Sequence, residues 1–239
     1  QNAVPNTGTP NSSSQLNGGQ SLGNRLGFKG TEDLGNGLKA VFLLEQGFML
    51  DTGMQQTSGS QFTRQAYMGL SGNFGTVVGG RLYTPHYTFV SGLDPFGAGT
   101  VGRYNNVYSS QGFTGSTLTD PVRVDNAIAY ISPSFGGFTV TGAFSNNAGG
   151  NDGGQSTTGT GPFTASASNG TNNTVYAILG KYDNGPLTVG LNYHYIAAGS
   201  ALALDNVQNV TLGGSYDFKV AKVMALYFWN EVDLGSNIN

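Results

Sequence analysis

Residues 25–48, RLGFKGTEDLGNGLKAVFLLEQGF, predict a β-hairpin of the kind that builds a membrane barrel. Two strand-length runs flank the polar segment TEDLGNG, and apolar and polar residues alternate within each run. Leu26 and Phe28 fall on one face and Arg25 and Lys29 on the other, because successive side chains of a strand point to opposite sides. The return strand has the same two faces, with Leu38, Ala40, Phe42 and Leu44 on one and Lys39 and Glu45 on the other.

The composition indicates a surface that does not face water. The chain has 239 residues, no cysteine and only 10% charged residues, whereas globular domains carry about 25%. It contains no apolar run of about 18 residues, so no transmembrane helix is predicted. A barrel strand crosses a bilayer with only about 9–11 residues, so a barrel remains compatible with this sequence.

The same alternation recurs in ten segments, which we predict to be antiparallel strands. These are residues 24–30, 38–48, 61–71, 76–83, 123–132, 138–145, 173–182, 187–196, 207–218 and 223–232. Their connections are alternately short and long, as in a membrane barrel with tight turns at one rim and loops at the other. The predicted fold class is therefore all-β, a transmembrane antiparallel β-barrel.

Two of the long connections differ in composition and in expected role. Residues 84–122 hold seven or more aromatic or large apolar side chains in an otherwise polar segment, and a loop of this length is usually functional. We expect it to fold back into the pore. Residues 146–172 are nearly all Gly, Ser, Thr and Asn, which cannot bury a core, and are expected to form an exposed loop.

Several other functions are not favoured by the sequence. A net charge of −3 without a basic block argues against nucleic acid as a partner. His86 and His194 lie far apart without metal-ligand spacing, so no metal or other cofactor is expected. No Ser, His and Asp constellation indicates an enzyme. The polar start of the chain has neither the basic nor the apolar region of a signal peptide.

Four motifs occur in the order and spacing of a known family. They are the opening stretch, RQAYMGLSGNFGTVVGGR at 64–81 before the long loop, RVDNAIAYISPSFGGF at 123–138, and YDNGPL at 182–187. This chain resembles the general porins of the Gram-negative outer membrane, in the neisserial and β-proteobacterial branch. The resemblance implies a sixteen-stranded trimeric barrel in contact with lipid and lipopolysaccharide, through which small hydrophilic solutes and ions diffuse passively.

The resemblance also implies strands beyond this chain. A first strand would precede the opening loop, and closing strands ending in an aromatic residue would follow the tenth. We therefore interpret residues 1–239 as a single porin domain that is incomplete at both ends and carries about ten strands.

The resemblance further suggests the residues of a pore constriction, where rings of charged side chains set ion preference. Arg25, Arg64 and Arg123 match arginines that line the constriction in the family, and Arg81 is a fourth candidate. The opposing carboxylates would be Glu45, Asp94 and Asp120. A cationic wall facing an acidic loop predicts a transverse field and a mild preference for anions.

Strict alternation complicates two of these assignments. Arg64 shares parity with Met68, and Arg123 shares parity with Ala129, so a bulge or a covered outer face is needed if both arginines line the pore. The alternative is that these arginines pair with carboxylates at a rim or a subunit contact. For the whole chain, the alternative is a secreted β-sandwich binding module or adhesin, in which the apolar faces of two sheets would meet.

Overall fold

The computed structural model describes residues 22–57, 59–100, 102–104, 106, 121–146, 148, 173–197 and 204–234. Within these residues, ten strands and a nine-residue helix are formed. The strands are β1 (Arg25–Gly35), β2 (Leu38–Gly47), β3 (Gln65–Gly72), β4 (Gly75–Tyr83), β5 (Arg123–Ile131), β6 (Phe138–Ser145), β7 (Thr174–Asn184), β8 (Leu187–Ala197), β9 (Leu204–Asp217) and β10 (Lys222–Leu234), and the helix is α1 (Pro85–Leu93).

Each strand pairs antiparallel with the next, so the order in the sheet is the order in the chain. β1 and β10 lie at the two edges of this ten-stranded sheet. A sheet in which each strand pairs antiparallel with its neighbour in sequence is the arrangement of a membrane barrel wall. The prediction of an all-β antiparallel fold is confirmed.

The sheet has a polar face and an apolar face, and β8 shows both. Asn192 and His194 point to the polar face and are buried, whereas Leu191 on the apolar face is 53% exposed. The register continues both faces through the neighbouring strands, since His194 lies opposite Asn209 and Leu191 opposite Leu212. An exposed apolar face suits contact with lipid, and it contradicts the β-sandwich alternative, in which such faces are covered by a second sheet.

The first hairpin turn is tighter than the sequence analysis predicted. Residues 31–35 belong to β1, whose pairing with β2 shifts register between Asp33 and Gly35, and the turn consists of Asn36 and Gly37 alone. Their φ angles are 52° and 78°. Two consecutive residues with positive φ form the type I′ turn, whose twist matches that of antiparallel strands and which favours Asn-Gly. The polar residues before it continue the strand to the rim.

The third strand also begins later than predicted, at Gln65 and not at residue 61. Phe62 has a φ of 50°, which strands do not adopt. Arg64 therefore lies outside the regular strand, and the alternation of β3 does not fix the direction of its side chain.

Helix α1 was not predicted from the sequence. Its N-cap is Thr84, whose hydroxyl accepts a hydrogen bond from the backbone N–H of Tyr87, and Pro85 occupies the first turn. The helix ends before Asp94 and Pro95, since the residue before a proline disfavours helical backbone. It packs on the polar face, across β6 to β10.

Parts of the long connections lie outside the described residues, including 107–120 and most of the predicted exposed loop at 146–172. Ala148 is described, and its backbone bonds to Asp125 and to Asn173 beside the sheet. No helix in the described part of the chain is long and apolar enough to cross a membrane.

An added charge should destabilise the fold by different amounts on the two faces of the sheet. Leu191→Arg should cost about 2–4 kcal/mol of folding free energy in a bilayer, because it places a cation against lipid. Thr141→Arg, on the polar face of β6, is the matched control and should cost much less. Urea titration of the folded, heat-modifiable gel band in liposomes measures both. Equal destabilisation would contradict the assignment of the faces.

Candidate functional site

Two arginines are joined through one tyrosine at the loop end of the sheet. The Arg64 guanidinium donates from Nε to Glu45 at 2.6 Å and from Nη2 to the Tyr83 hydroxyl at 2.8 Å. Arg123 donates from Nη2 to the same hydroxyl at 2.9 Å, and its guanidinium lies 4.6 Å from the centre of the Tyr83 ring. The phenol thus holds two cations side by side through hydrogen bonds and a cation–π contact.

A third arginine lies beside this pair. Arg81 donates from Nε to the Thr63 carbonyl at 2.7 Å and forms a 2.5 Å ion pair with Asp125. Arg123 experiences electrostatic repulsion from both Arg64 and Arg81. We call Arg64, Arg81, Arg123, Glu45, Asp125 and Tyr83 the arginine cluster. With three guanidinium groups and two carboxylates, the cluster keeps one positive charge that it does not itself neutralise.

Local backbone irregularities allow the arginines to meet. Arg64 precedes β3, so it reaches Glu45 although it shares parity with exposed Met68. The pairing of β4 with β5 shifts between Gly80 and Leu82, and Asn126 has a φ of 50° there. This is the type of irregularity that the sequence analysis required for Arg123.

The alanines of β5 also point opposite to the direction that their apolar character implied. Ala127 and Ala129 are 4% and 8% exposed, and the register places Ala129 beside Val78 on the polar face. Ile128, at 53% exposure, occupies the apolar face instead. Small side chains therefore occupy this part of the polar face, where neighbouring residues pack closely over them.

Arg25 lies on the same face as Glu45 but outside the cluster. The register pairs Gly27 with Glu45 and Arg25 with Gly47, two residues further along β2. Arg25 is exposed on the edge strand β1. Its role in a constriction stays a prediction.

Asp94 occupies a different environment from the other predicted carboxylates. Its side chain is buried, with 7% exposure of the residue, and it accepts backbone N–H bonds from Phe96, Ala98 and Tyr104 at 2.9 to 3.0 Å. Three such bonds order the segment after α1, so the geometry favours a structural role for Asp94. Asp120 lies outside the described residues.

Sequence reasoning missed Tyr83 and Asp125. Tyr83 follows Arg81 by two residues at the end of β4, and Asp125 follows Arg123 by two residues at the start of β5. The repeated spacing of an arginine and a polar partner at strand ends was the available signal. It became meaningful only when the register brought the ends of β4 and β5 together.

The two histidines, distant in sequence, meet under α1. The His86 and His194 rings are 5.1 Å apart and nearly perpendicular, and both residues are almost fully buried. His86 Nε2 lies 2.9 Å from the Thr211 hydroxyl. In the described residues, no group of three or more His, Cys, Asp or Glu side chains is placed to hold a metal ion.

Comparison with known proteins is consistent with this architecture. The family model described as Gram-negative porin matches residues 4–238. The chain belongs to the Gram-negative porin family. It is 37% identical over 223 residues to an outer membrane porin protein of Bordetella pertussis, covering 89% of this chain and 53% of that protein. It is 37% identical over 207 residues to outer membrane porin protein 32 of Delftia acidovorans, covering 84% of this chain and 53% of that protein.

A solved structure also shares the fold. The anion-selective porin from Comamonas acidovorans is 31% identical, with a TM-score of 0.69, and the match covers 89% of this chain and 59% of that one. This chain spans about half the length of the curated relatives it matches. The predicted family is confirmed, and the relatives place this porin in the Gram-negative outer membrane.

The ion pair between Arg64 and Glu45 yields a stability prediction. Both side chains are largely buried, at 11% and 15% exposure, so Glu45→Gln leaves the Arg64 charge without its counter-charge. We expect a loss of about 1–3 kcal/mol in the free energy of unfolding. Glu32→Gln, at an exposed position of β1, is the control and should change little. Urea unfolding in liposomes compares the two, and equal stability would argue against a buried ion pair.

Proposed function

We propose that this chain forms part of a general diffusion porin, through which small hydrophilic solutes and ions cross the outer membrane passively. The polar face of the sheet lines a water-filled pore, and the apolar face contacts lipid and lipopolysaccharide. The complete barrel assembles as a homotrimer. The exposure of most large apolar side chains on one face, with a polar face opposite, supports this orientation.

The arginine cluster carries the proposed selectivity. Its three guanidinium groups lie at the loop end of the sheet, next to the start of α1, and exceed its carboxylates by one. Positive charge at a narrow place raises the local concentration of anions. We therefore propose a mild preference for anions over cations.

The proposed constriction combines the cluster with the loop that follows β4. Arg64, Arg123 and Glu45 form its wall, with Arg25 and Arg81 beside them. In this proposal the loop of residues 84–122 folds into the pore, with its helix α1 packed on the polar face. Asp94 orders the segment that follows the helix by accepting backbone hydrogen bonds.

A channel function requires no catalytic group. The family and the fold point to a channel and not to an enzyme. We expect no turnover of a substrate and no bound cofactor, since a pore acts through its width and its field alone.

Reversal potentials in a salt gradient test the selectivity. The wild-type porin in a planar bilayer should pass chloride in preference to potassium, and Arg64→Ala with Arg123→Ala should reduce or reverse this preference by removing two positive charges. Lys219→Ala removes an exposed cation in the turn between β9 and β10, away from the cluster, and is the control. A cation-selective wild type would contradict the proposed selectivity.

The ionic strength should modulate the same preference. The range of an electrostatic field falls from about 30 Å at 0.01 M salt to about 3 Å at 1 M salt. The anion preference should therefore be strongest in dilute solution and weaken as salt is added. A preference that does not depend on salt would indicate selection by pore width and not by the arginine charges.

A further inference from the structure

One face of helix α1 packs against the polar face of the sheet. His86, Phe89, Val90 and Leu93 follow the spacing of a helix face, and each is at most 4% exposed. This side faces β8, β9 and their neighbours in the sheet. The close packing of these four buried side chains fixes the helix against the sheet.

Two glycines form the floor under the helix. Gly190 and Gly213 are direct cross-strand partners on β8 and β9. A Cβ atom at position 190 would lie 2.6 Å from the Phe89 ring. One at position 213 would lie 2.6 Å from a Leu226 methyl group of β10 and 2.7 Å from a Leu93 methyl group of α1. Glycine weakens a strand interior, so its presence in both strands at one point is explained by the close approach of α1.

A chain of hydrogen bonds lies one row from the glycines. The Thr211 hydroxyl donates to Asn209 Oδ1 at 2.8 Å, and the Asn209 amide donates to Asn230 Oδ1 at 2.5 Å. A threonine hydroxyl has a single proton. Because that proton goes to Asn209, the Thr211 hydroxyl is left to accept from His86 Nε2, which lies 2.9 Å away. The chain runs in one direction from α1 into β9 and β10.

The helix also contacts the arginine cluster at its other end. Tyr83, which accepts bonds from both arginines, directly precedes the N-cap Thr84. The Tyr87 ring of the first turn lies 4.9 Å from the Tyr83 ring. A displacement of α1 from its seat would therefore move the tyrosine that holds Arg64 and Arg123.

From these contacts we infer that Gly190, Gly213 and Thr211 are positioning residues of the pore. They set the distance of α1 from the wall, and through Tyr83 they set the placement of the two arginines. This inference rests on the proposed porin function. The glycines fix the free cross-section of the pore, and the hydrogen-bond chain fixes the orientation of the helix.

Single-channel conductance tests the glycine floor. Gly190→Ala and Gly213→Ala should each lower the conductance, because the added methyl group pushes α1 away from the wall and into the pore. Gly142→Ala is the matched control, since a Cβ there meets no atom within 4 Å on the apolar face. Shortening the facing ring with Phe89→Leu in the Gly190→Ala background should restore part of the conductance. Wild-type conductance in both floor variants, at normal heat-modifiability, would overturn the inference.

A second variant keeps the test decisive if the alanine variants fail to fold. Thr211→Val preserves the shape of the side chain but breaks the hydrogen-bond chain, so it should increase open-channel current noise and shift the reversal potential. Thr211→Ser retains the hydroxyl and should restore both properties. Unchanged noise and reversal potential in Thr211→Val would overturn the role of the chain. A wild-type protein that conducts no ions would overturn the proposed function itself, which distinguishes the two failures.

Discussion

Backbone hydrogen bonding between neighbouring strands is the constraint on which the rest of this structure depends. In a bilayer, an unpaired N–H or C=O group finds no water, so each strand must bond to the next along its whole length. Once the backbone groups are paired, the side chains on the two faces of the sheet can differ in polarity. Across the described strands most of the exposed large apolar side chains lie on one face, while Asn192, His194 and Asn209 are buried on the other. This separation makes one sheet compatible with both lipid and a polar interior.

The polar face is not a uniform lining, because its charges are held in place by specific partners. Arg64 and Arg123 would repel each other, yet Tyr83 accepts a bond from both and Glu45 pairs with one. Helix α1 begins directly after this tyrosine and rests on the far strands β8 and β9. The loop that begins with α1 therefore links the arginine cluster to strands β8 and β9. The electrostatic field and the width of the proposed pore both depend on the position of this helix.

The sequence was sufficient to predict the strands because a period of two encodes the faces directly, as in β8. It was not sufficient for α1. Thr84 and Pro85 are favourable helix-start residues, but the helix is only nine residues long and lies inside a long loop, where so short a run of helical spacing is easily overlooked. The alternation also did not predict the direction of the Arg64 side chain, since Arg64 lies outside β3, which begins at Gln65. Contacts such as His86 with Thr211 join residues 125 positions apart, and only the tertiary fold specifies them.

The central claim, that each strand has one face toward lipid and one toward water, can be measured directly along β2. The chain has no cysteine, so single substitutions to cysteine can be labelled without background. In liposomes, a membrane-impermeant maleimide should label Lys39→Cys, Val41→Cys and Leu43→Cys, and should spare Ala40→Cys and Phe42→Cys. Labelling that does not alternate along the strand, or that favours the second set, would contradict the account.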